Sequence, residues 1–192
     1  MPDTRMYHAF RSPFSRLGLH MLINAGVEFE LVPIITWPDG MTFSDPVANP
    51  IKRDYVAFDA FRMTDRMGLP IALPDPFEVD YTPATRAQAK AREVGKDIAF
   101  AKAVSDARWG EGKNISDLNV LAECAEAAGL PLEIVAEAQT DPDIDTITAE
   151  WTALIHQDKP FGVPFAVSGN AKYWGHDRFA LLLEDLGLTA KN

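Results

Sequence analysis

The sequence predicts an α/β protein in which a four-stranded mixed sheet, with helices on both faces, is interrupted by an all-helical insertion. Three observations point there. The chain opens with an apolar run, a helical pattern and a second apolar run, a βαβ unit of minimal length. It closes with a helix, two short apolar runs around Ser168-Gly169-Asn170, and a last helix. Between these ends there is only helical periodicity with capping signals. If the ends pack together, residues 1–40 with 141–192 form one discontinuous domain and residues 41–140 form the insertion.

Tyr7 to Phe10 reads as a short buried strand, and Arg11-Ser12-Pro13-Phe14-Ser15 turns it into a helix. Ser12 occupies the N-cap slot and Pro13 the first helical position, so a hydroxyl and free N–H groups converge where the helix dipole is positive. Such a corner attracts an anion, although Ser-Pro also starts many ordinary helices. Phe14, Leu17, Met21, Leu22 and Ala25 then share one face, and Gly26 stops the helix. Val27 to Ile35 begins by alternating apolar and acidic residues, as a strand should, and is expected to run parallel to the first.

Trp37 to Pro50 reads as a loop, followed by a helix from Ile51 to Met67 that Gly68 and Pro70 close. Ile71 to Tyr81 has no period. Thr82-Pro83 opens what should be the longest helix, with Ala87, Ala91, Val94, Ile98 and Ala101 on one face as far as Trp109-Gly110. Ser116 caps the next helix, which Gly129 stops. A shorter helix follows over Pro131 to Ala138, and Asp141-Pro142 begins another whose Ile144, Ile147, Trp151, Leu154 and Ile155 share a face. Phe165 to Val167 and Ala171 to Trp174 make a hairpin signature, and Phe179, Leu182, Leu183 and Leu186 mark the final helix.

A net charge of −10, spread along 192 residues with no basic stripe, argues against nucleic acid as a partner. No apolar run is long enough to span a bilayer and the first residues are polar, so no membrane partner and a cytoplasmic location are expected. A single cysteine, Cys124, rules out an internal disulfide and lies in an alanine-rich helical pattern as a core filler. The four histidines (His8, His20, His156, His176) show no ligand spacing and read as satisfied structural or surface groups. No metal and no nucleotide are expected. No G-x-S-x-G elbow surrounds Ser12, which argues against a serine hydrolase.

Three separated stretches together resemble one family. Ser12-Pro13-Phe14-Ser15 after a strand is similar to its first motif. Arg108-Trp109-Gly110-Glu111-Gly112, with Ile115-Ser116-Asp117, is similar to its Trp-x-Glu-Gly segment. Phe161-Gly162-Val163-Pro164 with Trp174-Gly175-His176-Asp177-Arg178 is similar to its C-terminal block. The family is that of the 2-hydroxychromene-2-carboxylate isomerases and the related kappa-class glutathione transferases, built on a thioredoxin-like domain of the DsbA type. The resemblance covers nearly the whole chain.

It implies glutathione as cofactor. Both positions where thioredoxin-like proteins carry cysteine are serines here, Ser12 and Ser15, so disulfide exchange at this corner lacks its thiolate. Ser12 is instead expected to stabilise the thiolate of bound glutathione. A hydroxyl hydrogen bond to a charged group contributes roughly 1.5–3 kcal/mol and the helix terminus about 0.3–1. Together they lower a thiol pKa by roughly 1.5–3 units, enough to ionise it at neutral pH.

By the same resemblance Val163-Pro164 is a cis bond whose Val163 backbone pairs with the cysteinyl unit of glutathione, whereas the residues alone read first as a structural turn before a strand. Asp177 caps a helix or contacts the γ-glutamyl end, and Arg178 makes a structural ion pair. Asn49 matches an asparagine that contacts ligand. Lys52, Tyr55 and Arg62 match a K-x-x-Y-x-x-x-D-x-x-R pattern beside the substrate cleft, where cations hold a carboxylate. Taken alone, Tyr55, Asp59, Arg62 and Arg66 form only a polar helical stripe. Arg11, where the family has an apolar residue, and Phe165, where threonine is common, depart from the pattern.

The expected activity is glutathione-dependent cis/trans isomerisation of a small aromatic 2-oxo acid, by a homodimer. Two alternatives stay open: a kappa-like transferase that leaves glutathione on an electrophile, and a non-catalytic thioredoxin-like module that binds a peptide or partner at the cis-proline edge.

Overall fold

The computed structural model describes residues 2–188. Its elements are β1 (Thr4–His8), α1 (Pro13–Ala25), β2 (Phe29–Pro33), α2 (Pro50–Arg66), α3 (Thr82–Arg92), α4 (Asp97–Gly110), α5 (Leu118–Ala127), α6 (Glu133–Thr140), α7 (Ile144–Asp158), β3 (Phe165–Ser168), β4 (Ala171–Trp174) and α8 (Phe179–Asp185). Short 3-10 turns at Pro46–Ala48 and His176–Arg178 lead into α2 and α8. The strands form one sheet in the order β2-β1-β3-β4, with β1 parallel to β2 and antiparallel to β3. All four strands fall within 1–40 and 141–192, whereas 41–140 holds α2 to α6 and no strand. Residue 1 and residues 189–192 lie outside the described residues.

β1 begins at Thr4 rather than Tyr7 and ends at His8, which leaves Ala9 and Phe10 to the turn. Polar residues can occupy the central strand because each is paired. The Thr4 hydroxyl meets that of Ser168 at 3.0 Å, and Arg5 donates to Glu30 of β2 at 3.0 Å and to Asp158 at the end of α7. β2 is shorter than the predicted Val27 to Ile35, since the Val27 N–H closes α1 by bonding the Leu22 carbonyl at 3.1 Å.

The long helix expected from Thr82 to Gly110 is two. Gly95 adopts φ 68°, a left-handed conformation that glycine takes without strain, and the break turns Val94 out to 60% exposure instead of onto the inner face. Ser116 does not cap α5. Asp117 does, accepting from the Asn119 N–H at 2.9 Å, while the Ser116 hydroxyl donates to Asn114 at 2.7 Å. One apolar core runs from Met6 and Leu31 through Ala87 and Phe100 to Trp151, so sheet and insertion share it. Among the described residues no helix is long and apolar enough to cross a membrane.

Candidate functional site

The start of α1 is the corner around which other elements gather. Ser12 has extended backbone angles (φ −101°, ψ 115°), and its Oγ accepts from the Ser15 N–H at 3.2 Å. No described residue accepts the Ser12 hydroxyl hydrogen, and the Phe14 N–H has no acceptor among the described residues either. Two donors therefore point out of the positive end of a helix. Ser15 differs: it is 2% exposed, and its Oγ accepts from the Ala9 N–H at 3.2 Å. Its hydroxyl holds the turn together.

Two contacts bring the C-terminal block to this corner. Gly18 lets α1 settle on Pro164 and Phe179, because a Cβ there would come within 2.7 Å of the Phe179 ring and 3.2 Å of Pro164. Phe14 stacks on His176 with ring centroids 5.0 Å apart. Val163-Pro164 is cis, as the resemblance implied, and Val163 makes no backbone–backbone hydrogen bond with any described residue. Its peptide groups stay open to a ligand. Asp177 does not cap α8. It is exposed and pairs with Arg178 at 3.0 Å through one oxygen, leaving the other without a described partner.

α2 carries the remaining predicted residues, and none of them hydrogen-bonds to Ser12, Val163 or Asp177. The Asn49 carbonyl oxygen caps α2, accepting from the N–H groups of Ile51 and Lys52 at 3.0 and 3.2 Å, so only its NH2 is left for a ligand. Lys52, Tyr55 and Arg62 are all exposed, and Arg62 is engaged by Asp59 while lying over the Phe58 ring. Burial lowers the pKa of His176 against the opposing pull of Asp177 and of Asp59 on α2.

The sequence reading overlooked the braces. Trp109 Nε1 donates to the Phe10 carbonyl at 2.9 Å, and the fully buried Arg108 donates to the carbonyls of Pro76 and Phe77, so the Arg-Trp-Gly motif supports the corner from behind. Arg11 forks onto Asp45 and Glu78. His8 and His176 are not fully satisfied: His8 Nδ1 and His176 Nε2 are buried with no partner. Cys124 is buried in α5, and burial pushes its thiol up to about 12, far from a reactive thiolate. Two surface concavities of about 440 and 470 Å³ are lined by other residues, the first between α4 and α5 and the second beside Ile34 and Tyr81. No group of three or more metal-ligating side chains occurs among the described residues.

The sequence model of the DSBA-like thioredoxin domain matches residues 5–187. No curated relative matches. Among solved structures, a 2-hydroxychromene-2-carboxylate isomerase is 22% identical, with 96% of this chain and 94% of that one covered and a TM-score of 0.78. A probable DsbA oxidoreductase from Streptomyces coelicolor is 20% identical over 95% of this chain and 88% of that one, with a TM-score of 0.71. The cytosolic disulfide reductase DsbM from Pseudomonas aeruginosa, solved with GSH, is 18% identical over 85% and 84%, with a TM-score of 0.61. At these identities the likeness is one of fold.

Proposed function

The chain belongs to the DSBA-like thioredoxin domain family, and on that footing we propose that its Ser12 corner serves glutathione-dependent isomerisation of an aromatic 2-oxo acid. The observation that carries this reading is the Ser12 hydroxyl hydrogen, unengaged by any described residue at the positive end of α1, in a chain whose sole cysteine is buried elsewhere. A corner of this family without a thiol of its own suits a thiol brought by a ligand.

The residues present fit glutathione. Ser12 and the Phe14 N–H offer two donors to a sulfur anion, the Val163 backbone offers a strand edge to a peptide, and the free oxygen of Asp177 offers an acceptor to an ammonium group. Pro164 packs that edge against Gly18, and Asn49, whose oxygen caps α2, has its NH2 left to donate. Glutathione, when bound, would supply a thiolate able to add reversibly to a conjugated double bond and so allow rotation about it, with the cofactor regenerated on elimination. Ser12 would hold that sulfur as its anion through a hydroxyl hydrogen bond. Lys52, and Arg62 while shared with Asp59, would hold a substrate carboxylate, and the exposed Tyr55 would offer its face to the aromatic ring.

The test is the ultraviolet band of the glutathione thiolate on titration at neutral pH, with Ser12→Ala alongside. The band is expected with the native chain and lost, or shifted to higher pH by about one unit or more, in Ser12→Ala. No band and no saturable uptake would leave a peptide-binding module as the better reading. Product mass separates the two enzymes: unchanged for an isomerase, raised by one glutathione for a transferase.

A further inference from the structure

Arg11 stands one residue ahead of Ser12, and its guanidinium joins three segments distant in sequence. Nη1 and Nη2 donate to the two oxygens of Asp45 at 3.1 and 2.9 Å. Nε and Nη2 donate to Glu78 at 3.1 and 2.7 Å. Asp45 lies in the loop after β2, and Glu78 in the connection between α2 and α3. A fork onto two carboxylates fixes both directions of approach, which a point charge does not.

What hangs on this cluster is the start of α2. Asp45 caps the turn Pro46–Ala48 by accepting from the Val47 N–H at 3.0 Å, and Asn49, next in line, caps α2. α2 has no buried side chain before Ala60. Burial of Ala60 and Thr64 therefore anchors its second half, and its first turns depend on how the preceding loop is held. The charge count also limits what Arg11 does: one cation against two carboxylates leaves the cluster net negative, so it adds nothing to thiolate stabilisation.

We propose that Arg11 is a positioning residue that locks the loop 37–49 onto the Ser12 corner and thereby delivers the Asn49 side chain and the first turn of α2 to the ligand. The lock itself is independent of any ligand; the delivery rests on the glutathione reading above.

Hydrogen exchange by mass spectrometry on the full chain without ligand tests the lock. Arg11→Met and Asp45→Asn are each expected to speed exchange over 41–53 by about tenfold or more while β1 and α1 stay protected. Salt at about 1 M should loosen the same segment in the native chain and add little in Arg11→Met. Arg11→Lys should fall between. Unchanged exchange over 41–53 in Arg11→Met and Asp45→Asn overturns the proposal. If Arg11→Met does not fold, Asp45→Asn, which keeps the Arg11–Glu78 pair, decides alone.

Titration with glutathione tests the delivery. Arg11→Met and Asn49→Ala should each weaken binding several-fold, and the double variant should be no weaker than either single one, the signature of one residue acting through the other. Additive losses overturn the delivery. A native chain that takes up no glutathione sinks the functional reading, while the exchange measurement still decides the lock.

Discussion

Ser12-Pro13 opens α1 and Asn49-Pro50 opens α2, each with a capping side chain followed by proline at the first helical position. Beyond that shared start the two helices part. Seven of the 13 residues of α1 are buried, against two of the 17 of α2. Capping is local and fixes where a helix begins; packing decides whether that beginning is a rigid place. α1 is pressed on Pro164 and Phe179 and braced through Trp109, whereas the start of α2 is held by an ion cluster at the surface. A reacting group belongs on the first, and residues that close around a ligand belong on the second.

The sharpest way to break this contrast is to unseat α1 from behind. Arg16 is 1% exposed, and its Nε donates to Asp106 of α4 at 2.6 Å. Asp106 also meets His20 and Lys102, each at 2.8 Å. Burial raises the Asp106 pKa, and the bonds from His20, Lys102 and Arg16 more than reverse that, holding the carboxyl well below its usual range. Asp106→Asn leaves a buried guanidinium without its counter-charge and should lower stability by about 3–5 kcal/mol in urea unfolding. On α2, Arg53→Ala removes an ion pair whose partners are both mostly exposed, and the midpoint should not move beyond error. Equal losses at the two places would erase the distinction.

A second support of the corner is readable through pH. His8 ends β1, is fully buried, and pairs through Nε2 with Gln88 of α3 at 3.0 Å. Burial pushes its pKa down to about 4, against a smaller upward pull from Gln88. Because the folded value lies below the unfolded value near 6.5, this contribution is complete above about pH 6.5 and is lost as pH falls toward 4. It amounts to about 3 kcal/mol over that window. Carboxylates titrate in the same range, so the quantity to read is the difference from His8→Gln, whose stability profile should be flatter by that amount. α2 contains no histidine, and exchange at its amides should not follow this difference.

The same contrast explains which parts of the molecule were legible in advance. α1, its cap, the hairpin of β3 and β4 and the cis bond before β3 follow from short-range signals, a Ser-Pro start, a Gly-Asn turn and a motif. Thr4 and Arg5 were not recognisable as strand because the groups that satisfy them, Ser168 and Asp158, lie more than 150 residues away. Arg11, Arg16 and Trp109 were unreadable for the same reason. Each acts through partners far away in sequence, and no local period marks a residue whose role is to meet another segment. The break at Gly95 was legible in principle, since a glycine inside a helical pattern is a warning, but the alanine face on either side outweighed it.

The smallest effect discriminates best between local and global support, and it concerns the caps. Ser12→Ala removes one bond to the Ser15 N–H at 3.2 Å, and Asn49→Ala removes two, to Ile51 and Lys52 at 3.0 and 3.2 Å. Counted as bonds, Asn49 should matter more, each cap contributing about 1 kcal/mol. Packing predicts the reverse for the whole molecule. Loss of the Ser12 cap loosens a helix whose second turn lies in the core, so global stability should fall by about 1 kcal/mol. Loss of the Asn49 cap frays turns that bury nothing, so faster exchange over 50–56 should appear with a smaller change in the unfolding midpoint. If Asn49→Ala instead destabilises the whole chain more than Ser12→Ala, the first turns of α2 belong to the same cooperative unit as α1. The ion cluster at Arg11 would then be holding a rigid element rather than a loose one.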